Sequence, residues 1–337
     1  MNVVNVVPLP FRIMASQSDE PHISVLRREV VEALAPRAGG VYVDATLGAG
    51  GHAEAILAVP GTRLVGIDRD AHALGLARAR LVSAGERFVA RQARFSEIAL
   101  VLAELGLERV DGIVADLGIS SMQLDDAARG LSFRENGPLD MRMDPSAGET
   151  ARELAARLSD EELTAVILRY GEERRARRVA RCIKQALERG ELETTLDLRR
   201  AVIRAVGPNR TGGVDPATRT FQALRIAVNE ELTELEALLA AAVGLLAPRP
   251  RAAGERPAPG GTLAVIAFHS LEDRMVKRAL GERTLWQPLF KKPVMASAAE
   301  CEDNPRARSA KLRAARRLSL SLAAPAGGRR AGEGPDA

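Results

Sequence analysis

The stretch VYVDATLGAGGHAEAIL, residues 41–57, sets a short apolar run, a glycine-rich turn and a helical pattern in immediate succession. A strand that feeds such a turn and then a helix reads as the opening of a βαβ unit. Glycines allow the tight turn and let the backbone approach a bound group. Within it, Gly48-Ala49-Gly50-Gly51-His52-Ala53 fits G-x-G-x-x-A, the dinucleotide fingerprint with its tolerated final Ala. Asp68 follows Gly48 by twenty residues, where an acid is expected on the ribose hydroxyls. On this pattern alone an NAD-dependent oxidoreductase is one reading, and a turn that merely packs a helix on a strand is the plainer one.

The rest of the first third repeats the rhythm. VYVDA (41–45), RLVGI (63–67), RFVAR (87–91) and DGIVAD (111–116) read as strands, with GHAEAILAV and AHALGLARARLV as helices between them. Such alternation predicts a parallel, doubly wound α/β sheet. From Leu131 to Phe221 the chain turns charged and helical. ATRTFQALRIAVNEELTELEALLAAAVGLL reads as one further helix, leading to a β-like run, GGTLAVIAF (260–268). The predicted organisation is a discontinuous sheet domain (22–130 plus 222–322) interrupted by an all-helical subdomain (131–221). Residues 1–21 and 323–337 are expected to be disordered, and the Pro/Arg/Ala-rich 247–261 to be a mobile loop.

Composition narrows the class. Hydrophobic residues make up 46% and charged residues 27%, as in globular proteins. No apolar run reaches the roughly 18–20 residues of a membrane-spanning helix. The apolar opening lacks a basic start and is interrupted by Pro8 and Pro10, against a secretory signal; Met14 is an alternative start. Cys182 and Cys301 are the only cysteines, too few for a disulfide framework or a zinc ribbon, and no metal motif is seen. A cytoplasmic protein is expected.

Charge discriminates between cofactors. Asp44, Asp68 and Asp116 end three of the strands, so in a parallel sheet their carboxylates converge at its C-terminal edge. They would repel a pyrophosphate and attract the ammonium and sulfonium of S-adenosyl-L-methionine. Charge-assisted hydrogen bonds contribute roughly 1.5–3 kcal/mol each, enough to favour the methyl donor. Taken singly, each acid could instead cap a helix. His52 reads as a cofactor-lining residue without a proton role, and Phe95 as an adenine contact or a core ring.

DLGISSMQLDDAARGLSFRENGPLDMRMD (116–144) closely resembles a block of the bacterial MraW-type ribosomal small-subunit RNA (cytosine-N4)-methyltransferase family. HISVL (22–26), DATLGAGGH (44–52), GIDRD (66–70), YGEERRARRVA (170–180), PATRTFQALRIAVNEEL (216–232), FHSLEDRMVKR (268–278) and NPRARSAKLR (304–313) extend the resemblance, in order, across residues 22 to about 317. It implies a class I S-adenosylmethionine-dependent methyltransferase, Rossmann-like, with an inserted helical subdomain. The implied reaction methylates N4 of a specific cytosine in 16S ribosomal RNA near the decoding site, in a small-subunit particle. Gly50, Gly51 and His52 would line the methionine end, Asp68 would bind the ribose and Phe95 would sit by the adenine. Asp116 and Gln123 would close the site. Three departures stand out: Met122 where the family commonly has proline, the long insert before Gly260, and the N-terminal extension.

A cytosine amine is a weak nucleophile, so positioning is the larger need, and orientation supplies roughly 7–11 kcal/mol. Asp116 is the expected catalytic acceptor of the amine hydrogen. Its DLGI setting lacks the aromatic of other amino methyltransferases, so base stacking must come from elsewhere. Carbon methylation would need a cysteine nucleophile, for which Cys182 on a basic helix and Cys301 in an acidic loop are poorly placed. In FHSLEDR, Ser270 and Asp273 have the form of a helix cap, while His269 and Ser270 at that sheet edge are also substrate candidates. Arg174, Arg177, Arg178 and Arg181 on one helical face, with Arg306, Arg308, Lys311, Arg313, Arg316 and Arg317, are candidate phosphate contacts. A non-catalytic RNA-binding ribosome assembly factor is the rival of a different class. Oligomeric state is not legible.

Overall fold

In a computed structural model of the chain, residues 24–208, 213–248 and 260–319 are described. The expectations for 1–21 and 323–337, and most of that for 247–261, fall outside these residues. Val41–Asp44 (β1) is buried along its whole length, as a strand covered on both faces must be. Arg63–Asp68 (β2), Phe88–Gln92 (β3), Gly112–Asp116 (β4) and Thr262–Ala267 (β5) join it in parallel. All five expected strands are therefore present. Two more were not expected: Trp286–Pro288 (β6) and Lys311–Arg317 (β7). The full order is β3-β2-β1-β4-β5-β7-β6, with β7 antiparallel to both neighbours.

Helices α1 (Arg27–Leu34), α2 (Gly51–Leu57), α3 (Ala71–Arg80) and α4 (Ile98–Glu104) alternate with the first four strands, and α5 (Ser121–Asp125) follows β4. The chain then leaves the sheet through α6 (Ala151–Arg157), α7 (Asp160–Gly171), α8 (Ala176–Glu188) and α9 (Thr195–Val206). It returns through α10 (Thr218–Asn229) and α11 (Glu231–Leu245), and α12 (Ser270–Leu280) and α13 (Ala298–Asp303) come after β5. Three inserted helices start with reciprocal capping boxes, Thr150–Glu153, Ser159–Glu162 and Thr194–Asp197, which satisfy otherwise orphaned N–H groups.

The single helix expected over 217–246 is instead two. Glu230 takes a left-handed φ of 53°, ending α10. Just before it, the Asn229 amide donates to Met141 O and accepts from the Met143 N–H, each at 2.8 Å, tying the break to the segment after β4. The break also divides the cores. Leu131, Leu139, Met141, Leu163, Ile167, Val179, Ile183, Leu198 and Leu224 build the core of the inserted helices. Leu235, Leu238, Ala242 and Leu245 of α11 pack instead on β1, β4 and β5. A third cluster, around Tyr42, Ile56, Leu64 and Leu312, covers the other face of the sheet.

Candidate active site

Gly50 holds φ at 83° as the N-cap of α2, a conformation that glycine alone adopts without strain. Gly51 is required for a different reason, since a Cβ there would stand 1.9 Å from Ser24 Oγ. The turn they form borders a cavity of about 500 Å³ at the C-terminal edge of the parallel strands, within the usual range for small-molecule sites. Gly48, Gly51, His52, Asp68, Phe95, Asp116 and Gln123 all line it. Gly50 does not; its Cα faces Leu81 and Ala77 behind the turn. Asp44, the last residue of β1, does not line the cavity but is fully buried behind its wall.

Backbone hydrogen bonds lock this edge together. Asp68 accepts from the Gly48 N–H at 2.7 Å and from the Asp70 N–H at 2.9 Å, so the end of β2 grips the glycine turn directly. Thr46 Oγ1 accepts from the Asp116 N–H at 2.6 Å, fixing the end of β4 against that of β1. Asp70, which sequence reasoning passed over, is a buried hub just behind the lining residues Asp68 and Gln123. It caps α3 through the His72 N–H and accepts from Gln123 Nε2 at 2.9 Å and Arg129 Nη2 at 2.8 Å. Those bonds hold its carboxyl below the usual range although burial pulls the other way. Gln123 also closes a capping box with Ser120, and Met122 lines the cavity beside it.

The electrostatics centre on His52. Its Nε2 is 3.5 Å from Asp116 Oδ2, and its side chain is only 4% exposed. Burial opposes the imidazolium, but Asp116 and Asp44 outweigh it and raise the imidazole above its ordinary pKa. Burial pushes the Asp44 carboxyl up to about 7, and Asp116 and Asp68 add to the rise, against the pull of His52 and the Thr46 N–H. Burial likewise raises Asp68. Asp44 Oδ2, Asp116 Oδ1 and both ring nitrogens of His52 have no hydrogen-bond partner among the described residues. Buried oxygens of this kind demand a donor. Asp116 lines the cavity, where the ammonium of S-adenosylmethionine is a suitable donor and the sulfonium is attracted by its charge alone; a pyrophosphate, an acceptor and an anion, suits neither need.

The opposite wall comes from the inserted helices and the end of β5, through Leu131, Phe133, Met143, Phe221, Phe268 and His269. Arg225 and Glu231, which also line the cavity, form a two-bond ion pair at 2.8 and 2.9 Å. None of these except His269 was singled out from the sequence, because their convergence depends on packing between distant segments. The FHSLEDR helix starts one residue earlier than its cap form suggested. His269 is the N-cap and Glu272 its partner, accepting from the Phe268 and His269 N–H groups. Ser270 Oγ donates to Glu172, and Asp273 pairs with Arg313 of β7 at 2.7 Å. Cys301 lies in α13 rather than in a loop, and neither cysteine lines the cavity.

The cations expected on RNA divide into two sets. Arg174, Arg177, Arg178 and Arg181 are exposed and make no salt bridge among the described residues, with Arg174 just ahead of α8. The later group is largely structural. Arg313 and Lys311 face Asp273, Arg306 pairs with Asp125, and Arg317 is buried against the carbonyls of Val243, Leu285 and Leu318.

The model of the MraW methylase family matches residues 19–318. A ribosomal RNA small subunit methyltransferase H of Sorangium cellulosum is 65% identical over 319 residues, covering 94% of this chain and 98% of that relative. The proteins of the same name from Bradyrhizobium diazoefficiens and Deinococcus radiodurans are 49% and 48% identical, each over 90% of this chain and 93% and 92% of their own. With the mixed sheet of five parallel strands and an antiparallel β7, the acid-rimmed cavity and this match along nearly its whole length, the chain belongs to the MraW methylase family.

Proposed function

We propose that this protein transfers a methyl group from S-adenosyl-L-methionine to N4 of a cytosine in small-subunit ribosomal RNA, acting on the RNA within a subunit particle. The observation that carries it is the meeting of Asp68 and Asp116, which end β2 and β4, at one cavity, with Asp44 of β1 buried behind its wall and buried carboxylate oxygens lacking donors. That charge pattern, with the family membership, sets aside the oxidoreductase reading of the glycine turn.

S-adenosylmethionine supplies an electrophilic methyl on a sulfonium. Gly51 and His52 are the proposed contacts at its methionine end, Gly50 supports them through the turn, Asp68 and Phe95 hold the ribose and adenine, and Asp116 and Gln123 close the site. Asp116 is proposed to accept a hydrogen bond from the cytosine amine. Once N4 has taken the methyl that bound S-adenosylmethionine would supply, leaving the donor as the neutral thioether, Asp116 would accept the proton that N4 sheds. His52, at ion-pair distance, balances the charge on that carboxylate. The Leu131–Leu224 core supports treating 131–221 as an inserted lobe, and the exposed arginines around α8 suit phosphate contacts.

Asp116→Asn tests the catalytic assignment. Loss of an acid–base group lowers turnover by about 10²–10⁴-fold. Methyl transfer to small subunits should fall in that range while calorimetry still detects cofactor binding. Full activity in the variant would remove Asp116 from catalysis. Tight NAD binding with none for S-adenosylmethionine would overturn the function itself.

A further inference from the structure

Aromatic residues are scarce in this chain, at 3%, with seven phenylalanines in all. Four of the seven, Phe95, Phe133, Phe221 and Phe268, line the one cavity. Three of these rings are only half-buried, and each rests on a different apolar core. Phe95 packs on the core of β1 and α11, Phe133 on that of the inserted helices, and Phe268 on that of the opposite sheet face. Rings left half-covered over a single cavity, each braced by a packed core behind it, point to a flat ligand.

Phe95 stands after β3, at the glycine-turn end. Phe133 and Phe268 border the end towards the inserted helices. Phe221, 5% exposed on α10, meets Phe133 edge to face, with ring centroids 4.7 Å apart and planes at 64°. That contact fixes the Phe133 ring from behind. Phe268 lies against the loop that carries Asp116, because a Cβ on Gly118, two residues further on, would sit 3.5 Å from Phe268 Cδ2.

We infer that Phe133, backed by Phe221, and Phe268 form the slot that receives the target base after it leaves its stack. The inference rests on the function proposed above and supplies the stacking surface that the DLGI segment lacks. Enzymes that modify a base out of its helix hold it between aromatic or apolar side chains, and single-stranded bases stack on such rings. The inserted lobe thereby contributes directly to substrate binding, and the base is presented beside Asp116.

The test uses small ribosomal subunits isolated from cells lacking the enzyme, with full-length variants. Phe133→Leu should lower kcat/KM for the particle by about tenfold or more, mainly through KM, as expected when one base-stacking ring is removed. Calorimetric affinity for S-adenosylmethionine should stay within twofold of wild type. Phe133→Trp should restore most of the activity, which a purely structural role for the ring would not allow. Phe268→Leu provides an independent second variant with the same expected split. Wild-type kcat/KM in both leucine variants would overturn the slot. So would a loss of cofactor affinity as large as the loss of transfer, which would assign the rings to the cofactor. No transfer by the wild-type protein would defeat the parent function, whatever the variants did.

Discussion

His52 Nε2 stands 3.5 Å from Asp116 Oδ2, with Asp44 fully buried behind the cavity wall. One imidazole thus balances two strand-end acids, a charge role that the spacing of the glycine turn alone did not reveal.

Asp44 gives this arrangement a pH signature. Its folded carboxyl, pushed to about 7 by burial, lies above the ordinary 3.8. The folded state therefore holds a proton that the unfolded chain releases first. Stability from this group is fully present below the unfolded value and is lost as pH rises towards 7. In urea unfolding at pH 5 and pH 8, wild type should lose more stability over that interval than Asp44→Asn; equal losses would contradict the shift. A bound cation favours the carboxylate, so cofactor affinity should rise from pH 6 to pH 8 in wild type and much less in the variant.

The Arg225–Glu231 pair joins α10 to α11 across the Glu230 break, with side chains 15% and 7% exposed. Removing one partner of such a pair strands a buried charge and costs about 3–5 kcal/mol. Arg225→Met should lower unfolding free energy in urea by that amount, and adding Glu231→Leu should recover much of it. The exposed Arg28–Glu29 pair is the control, where Arg28→Ala should change stability by no more than about 1 kcal/mol.

Alanine at Arg177, Arg178 and Arg181 together should weaken RNA binding and flatten its salt dependence. Removing one cation from a single-strand phosphate reduces the log–log slope by about 0.7, so removing three reduces it by about 2. Binding titrations between 50 and 200 mM salt, roughly the range over which such effects are large, measure this directly. Arg313→Ala should instead lower thermal stability, because Arg313 holds Asp273 in place. An unchanged slope in the triple variant would move the RNA path elsewhere.

The five parallel strands were legible because each is a short, largely apolar run bounded by helical pattern, too short for a helix of its own. The glycine turn and the acids ending β1, β2 and β4 were legible for the same reason, since parallel strands bring their ends to one edge. β7 was hidden because KLRAARR carries residues that prefer helices and solvent. Only its place beside β5 makes it a strand, with the Arg317 guanidinium satisfied by three carbonyls. The α10–α11 break was hidden because the partners that hold the Asn229 amide there, Met141 and Met143, lie 88 and 86 residues away in sequence. Phe133, Phe221 and Phe268 share no spacing that would group them before the chain folds.

The position of β7 has a consequence for biosynthesis. It lies between β5 and β6, both made earlier, so a growing polypeptide cannot bring those two together by itself. Until residues 311–317 emerge from the ribosome, β5 keeps an open flank and β6 has no neighbour to pair with. The sheet closes only once residues 311–317 have been made, and a product terminated before that point would carry an exposed edge ready to aggregate.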